Sequence, residues 1–219
     1  MVGQKCPSDM VLNLASNKHE KNGTSVSKKE ESMEKEVITN LQHFQFFYPY
    51  TVALVGAKTG EKVNFMSCAW HSALSFNPPL FGVLISKKRF SHSIISEARE
   101  FTVNFLSYEQ AKLAAVMGRK SGRDVDKLKL AGLKLLEPQV IHSPLIAAAY
   151  VSFECRLVDV RTYGDHDLFV GEVVAVHVLP GCFNEAGVLE VKRLRPLCYL
   201  GSDYYITVDA TTFRHVLPD

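Results

Sequence analysis

At 219 residues and 24.5 kDa the chain is long enough for one domain with an appendage. Its 47% hydrophobic and 22% charged residues exclude wholesale disorder. A formal charge of +2 gives no general pull towards nucleic acid or an anionic membrane, so any anion site has to be local.

The apolar runs, such as residues 80–85, fall far short of the roughly 20 residues that cross a bilayer. The first thirty residues lack the apolar stretch and cleavage site of a secretory signal, so a cytoplasmic location is expected. Cys6, Cys68, Cys155, Cys182 and Cys198 are odd in number and contain no C-x-x-C pair. That pattern suits reduced thiols and neither a disulfide frame nor a metal site.

In chain order, residues 1–35 are polar and charge-mixed, and they are expected as a flexible arm ahead of a domain over 36–219. Residues 33–41 have the spacing of a short lead-in helix. Residues 51–55 and 63–65 predict two strands around a turn, closed by Gly56 and by Thr59-Gly60. Asn77-Pro78-Pro79 then launches a buried strand over 80–85. A helix over 91–100 and a strand over 101–106 follow. Two short helices, over 109–117 and 124–133, flank Gly118-Arg119-Lys120-Ser121-Gly122. From 150 to 160 the residues alternate, with Val151, Phe153, Cys155 and Leu157 on one face and Ser152, Glu154 and Arg156 on the other. A second long run, over 168–179, follows a polar turn, which predicts an antiparallel hairpin. An antiparallel barrel fits this order better than a doubly wound parallel sheet.

Several familiar motifs fail. Gly56-Ala57-Lys58-Thr59-Gly60-Glu61-Lys62 has the wrong spacing for a phosphate loop and reads as a hairpin turn. G-x-G-x-x-G, G-x-S-x-G and H-E-x-x-H are missing. The informative block is residues 64–93. Its first part is small and polar around Trp70, the chain's single tryptophan, and suits close approach of backbone N–H groups to a flat heterocycle. Its second part gathers Ser86, Lys87, Lys88, Arg89, Ser91 and Ser93 just before a predicted helix. Hydroxyls, cations and helix N–H groups converging there suit a phosphate, although three adjacent basic residues also suit a solvated turn.

The order Asn64-x2-Ser67-x2-Trp70, Ser75-x2-Pro78-Pro79, Arg89-x-Ser91-His92, Phe101-x-Val103-Asn104, Asp126-Lys127, Gly164-Asp165-His166 and Gly171-Glu172-Val173 resembles the flavin reductase-like family with an FMN-binding split barrel. The flavoredoxin branch is nearest, and the likeness covers roughly residues 44–205. It implies a mainly β fold with short helices, a six-stranded antiparallel Greek-key split barrel, a homodimer, and one non-covalent FMN per subunit near the dimer interface. By position Asn64 and Trp70 would line the isoalloxazine, with the backbone of Ser67, Cys68 and Ala69 alongside. Arg89 and Ser91 would meet the phosphate, beside Ser86; the family often has Thr where this chain has Ser91. Lys127 matches a lysine near the cofactor, His166 the histidine of the Gly-Asp-His turn, and Tyr199 an aromatic position near the flavin.

The same residues have plain chemical readings. Trp70 offers a flat apolar face, or simply core packing. Lys127 could offset a phosphate or the charge of a reduced ring, or face solvent within Asp126-Lys127-Leu128-Lys129. His166 could donate to a flavin carbonyl or a nicotinamide, or be an exposed turn residue held by Asp165 or Asp167. The resemblance implies an FMN-dependent oxidoreductase that passes hydride from NAD(P)H through flavin to an acceptor, with His166 at the reacting end. A flavoredoxin-like electron carrier for protein partners, without its own nicotinamide site, is the rival reading. A pyridoxine-phosphate oxidase or haem-binding relative fits the motif order less well.

Overall fold

An apolar run without alternation makes a strand buried on both faces. The computed structural model, which describes residues 35–39, 41, 44–212 and 214–216, has such a strand at β2 (Ala53–Thr59), following the two-residue β1 (Tyr50–Thr51). Ala53, Val55 and Ala57 enter one apolar core, and Val52 and Leu54 enter a second. Gly56 does not end the strand as expected but pairs with Phe65 on β3 (Lys62–Cys68). A Cβ there would stand 2.1 Å from the Phe65 ring, so only glycine lets that ring lie across the strand. The turn falls instead at Gly60, whose φ of 54° suits glycine.

Beyond β3 come β4 (His71–Phe76), β5 (Pro79–Ser86), helix α1 (Phe90–Ala98) and β6 (Glu100–Phe105). Then follow α2 (Ala111–Arg119), α3 (Lys127–Ala131) and a small pair, β7 (Leu135–Leu136) and β8 (Leu145–Ile146). The long hairpin β9 (Val151–Tyr163) and β10 (His166–Val178) comes next, and β11 (Cys198–Gly201) and β12 (Tyr204–Ile206) close the sequence of strands. One antiparallel sheet runs in the order β3-β2-β6-β9-β10-β5-β4. Its two end strands, β3 and β4, are joined by Ala69 and Trp70 alone, and the Leu84 N–H of β5 donates to the Trp70 carbonyl, 2.9 Å away, extending the β4–β5 ladder to that link. This is the expected split barrel, with seven strands in the sheet where six were expected. The extra one is β4, whose Ser72, Ala73 and Leu74 are exposed and whose sequence carries no buried face to announce it.

The first core fills the barrel with Phe81, Val83, Ile85, Phe101, Val103 and Phe169, capped by Ile94 and Ile95 of α1. The second lies under α2, where Ala114 and Met117 meet Leu54, Phe65 and Leu197. Burying such side chains stabilises by about 1.5–3 kcal/mol each. Two polar hubs sit within the sheet. Asn104 donates to the Leu54 carbonyl at 3.0 Å and accepts from Ile146 N–H at 2.9 Å and from the Ser152 hydroxyl at 2.8 Å. Glu154, fully buried, accepts from the N–H groups of Gln139, Val140 and Ile141 at 2.7, 2.8 and 3.0 Å and from His177 at 2.6 Å. Thus the polar face predicted for β9 is also inside at its first half.

The described residues from Phe44 onward form one compact unit. The arm assigned to residues 1–35 lies, save Lys35, outside the described residues. The lead-in helix expected over 33–41 does not form at residues 35–39, which carry no helical structure. Among the described residues no helix is long and apolar enough to cross a membrane.

Candidate functional site

Three adjoining concavities of about 150, 120 and 280 Å³ meet at Ser67 and Arg89, which line all of them. Together they fall in the size range of small-molecule sites, roughly 300–1,000 Å³. The strand end of β3, the β5–α1 turn, the C-terminal half of α2, the β9–β10 turn and the β11–β12 hairpin build them. A wider groove over residues 61–65 and 122–128 carries both signs of charge, from Glu61, Asp124 and Asp126 to Lys62 and Arg123, and lacks Ser67 and Trp70.

The first concavity is aromatic. Trp70 and His166 face each other with ring centroids 5.0 Å apart and an interplanar angle of 41°. Met66, Ser67, Cys68, Ala69, Leu84, Ser86 and Arg89 complete it. Strand pairing sets the wall, because His166 stands opposite Ser86 in the β10–β5 register. The His166 Nδ1 is 2.7 Å from an Asp165 oxygen, which orients the imidazole and holds the Asp165 carboxyl below its usual range. Burial pushes the Cys68 thiol up to about 12, so it contributes backbone and packing and no thiolate chemistry.

The second concavity is cationic. Lys88, Arg89, Arg119, Lys120, Arg123 and Lys127 line it, and no carboxylate does. It sits at the start of α1, the positive end of the helix dipole, whose first turn holds no acidic residue and whose N-cap, Arg89, makes no side-chain capping bond. Asn64 and Ser91 are both buried here, and the Asn64 amide donates to the Ser91 hydroxyl at 2.6 Å. Lys127 is 5% exposed, and its ammonium donates to the carbonyls of Phe65 and, at 3.2 Å, Met117, bracing β3 against α2. Burial, helped by the nearby Arg89 charge, lowers its pKa to about 8. Gly122 closes the corner: a Cβ there would lie 2.2 Å from the Asn64 side-chain oxygen.

The third and largest concavity lies under the β11–β12 hairpin, with Tyr199 and Tyr205 tilted against each other at 5.5 Å between centroids. Arg119, at the end of α2, donates through Nε to both Asp203 oxygens, at 3.0 and 2.8 Å, and so pins the hairpin's turn.

The eleven residues that the resemblance places at the flavin all line this connected space, whereas Lys87 and Ser93 of the basic run do not. Their placement differs in two respects. Asn64 sits in the cationic corner and not beside Trp70, and Lys127 is tied to backbone carbonyls inside the protein where its sequence context also suggested solvent. Sequence reasoning missed Arg119, Lys120, Ser121 and Arg123. The run Gly118–Gly122 was legible as cations and a hydroxyl between glycines, but nothing local says that it faces residues 88–91. Met66, Leu84 and Tyr205 carry no signal beyond their apolar character. Among the described residues no His, Cys, Asp and Glu cluster could hold a metal, and Cys68, Cys155, Cys182 and Cys198 are free.

Residues 45–207 match the flavin reductase like domain. An FMN-binding protein of Thermus thermophilus, solved with bound 1-cyclohex-2-enone, is 37% identical with a TM-score of 0.74, covering 83% of this chain and 99% of that one. A flavoredoxin of Methanosarcina acetivorans is 30% identical with a TM-score of 0.73, covering 84% of this chain and 95% of that one. An uncharacterised protein of Aeropyrum pernix is 35% identical over 155 residues, which are 70% of this chain and 58% of that relative.

Proposed function

The chain belongs to the flavin reductase-like family, and on that footing we propose that it is an FMN-dependent oxidoreductase passing hydride from NAD(P)H to bound flavin and on to an acceptor. The observation that carries the reading is the junction at Ser67 and Arg89 of an aromatic Trp70–His166 wall with a corner of six cations that no carboxylate lines. The donor set fits the group. A flavin needs a flat apolar face with N–H donors at its ring edge, and its phosphate needs cations and hydroxyls.

In this reading Arg89, Lys88, Arg123 and the start of α1 bind the phosphate. The Ser91–Asn64 pair and Lys127 hold those groups in place. Trp70 covers the ring, the backbone from Ser67 to Ala69 offers donors along its edge, and His166 faces the incoming nicotinamide. Bound FMN would supply the hydride acceptance that no amino-acid side chain provides. The protein's share is to orient the rings, exclude water, and place donors where negative charge gathers on reduction. A homodimer belongs to the same reading, supported by Phe76, 98% exposed on the free edge strand β4. So does a cytoplasmic setting, where reduced nicotinamides are made.

The likeness to a flavoredoxin favours a second reading, an FMN-bearing carrier that exchanges electrons with partner proteins. Stopped-flow mixing of the FMN-loaded protein with NADH and NADPH separates the two. Rapid flavin bleaching is expected for the reductase. Bleaching only by a reduced protein partner selects the carrier, and absence of any FMN binding rejects both.

A further inference from the structure

Asp167 is a charged residue, 6% exposed, that lines none of the three concavities. It follows His166 on β10, opposite Ile85 of β5 and Thr162 of β9. One oxygen receives His92 Nε2 at 2.7 Å. The other faces the Lys87 ammonium at 3.4 Å and makes no hydrogen bond. Lys87 also reaches the Thr162 hydroxyl at 3.4 Å. The His92 ring stands edge-on to Phe169, 5.0 Å away, which restrains its orientation. Lys87 and His92 are the two ends of the segment that carries Lys88, Arg89 and Ser91. A single buried carboxylate therefore ties both ends of this segment of the cationic corner to the strand that starts at His166.

We propose that Asp167 is a positioning residue that sets the corner against the His166 wall, so that the phosphate of a bound flavin mononucleotide is held at a fixed distance from the reacting ring. This rests on the flavin reading. Because the carboxylate acts through Lys87 and His92, its loss should register at the phosphate and leave contacts to the ring largely intact. Riboflavin, which lacks the phosphate, isolates that difference.

The test compares FMN and riboflavin binding to wild-type protein and Asp167→Asn, with the phosphorus resonance of bound FMN and the thermal midpoint as further readouts. Weakening of FMN by about tenfold is expected, with riboflavin held within about twofold and a moved phosphorus resonance. An unchanged FMN-to-riboflavin ratio, or equal loss for both ligands with a fallen midpoint, overturns the proposal by making Asp167 merely structural. Lys87→Met, at a more exposed end of the bridge, must lower the same ratio by about threefold even if Asp167→Asn does not fold; an unchanged ratio there overturns it equally. Wild-type protein that binds no FMN sinks the flavin reading as well, whereas wild-type binding with an unaltered ratio in the variants sinks this inference alone.

Discussion

The Glu154 hub and the cationic corner handle buried charge in opposite ways. Glu154 is fully buried, and burial raises its pKa, but three backbone N–H groups and His177 outweigh that and bring it below the usual carboxylate range. Its anion is complete within the fold. In the corner six cationic residues gather with no carboxylate lining the space, and burial depresses the one ammonium that is inside. Charge compensated by its own chain serves folding, whereas a corner in which six cations outnumber the carboxylates they meet, Arg119 being paired with Asp203, suits an anion from outside. The two regions should therefore fail differently when altered.

The largest effect is expected at the hub. Glu154→Ala removes the fully buried acceptor of three N–H donors, that of buried Ile141 among them, and should cost about 3–5 kcal/mol in urea unfolding while leaving FMN affinity of the folded protein unchanged. Arg89→Ala should do the reverse, weakening FMN by about 1.5–3 kcal/mol in calorimetric titration with no loss of stability. An Arg89 variant with wild-type FMN affinity would take that residue out of the site.

Lys127 sharpens the contrast through pH. Its folded pKa, about 8, lies below its ordinary value of 10.5, so between these values the unfolded chain binds more protons. The cost of the buried ammonium is thus fully present below pH 8 and is relieved as pH rises towards 10.5. Flavin-free protein should gain on the order of 2 kcal/mol across that window relative to Lys127→Met, and parallel stability curves for the two would contradict it. An anion bound nearby favours the ammonium, so FMN affinity should decline as pH climbs through the same window. A smaller effect is expected for His166→Ala, with folding retained and flavin reduction by NAD(P)H slowed in stopped flow; wild-type rates would leave the histidine structural. Deletion of residues 1–34 should alter neither FMN binding nor reduction.

Most of the barrel was legible because its strands carry their burial in sequence: the apolar run of β2, the proline-launched β5, and the alternation of β9. Helix α1 was equally plain from Ile94 and Ile95. β4 was not, since an edge strand with small and exposed residues has no face to bury and gains its structure only by pairing with β5. The site divides along the same line. Trp70, Arg89 and His166 are set by local turns and strand register next to recognisable spacing. Arg119, Arg123 and Asp167 act through pairings with residues far away in sequence, which become visible only once α2 and β10 are docked.

The uniqueness of Trp70 supplies the most direct test of the account. Titrating flavin-free protein with FMN while following tryptophan emission should give saturable quenching at one FMN per chain, with the curve moved to higher concentration in Arg89→Ala. FMN that binds without disturbing the emission, or that leaves the Arg89→Ala curve superimposed on wild type, would contradict a flavin held between the tryptophan wall and the cationic corner.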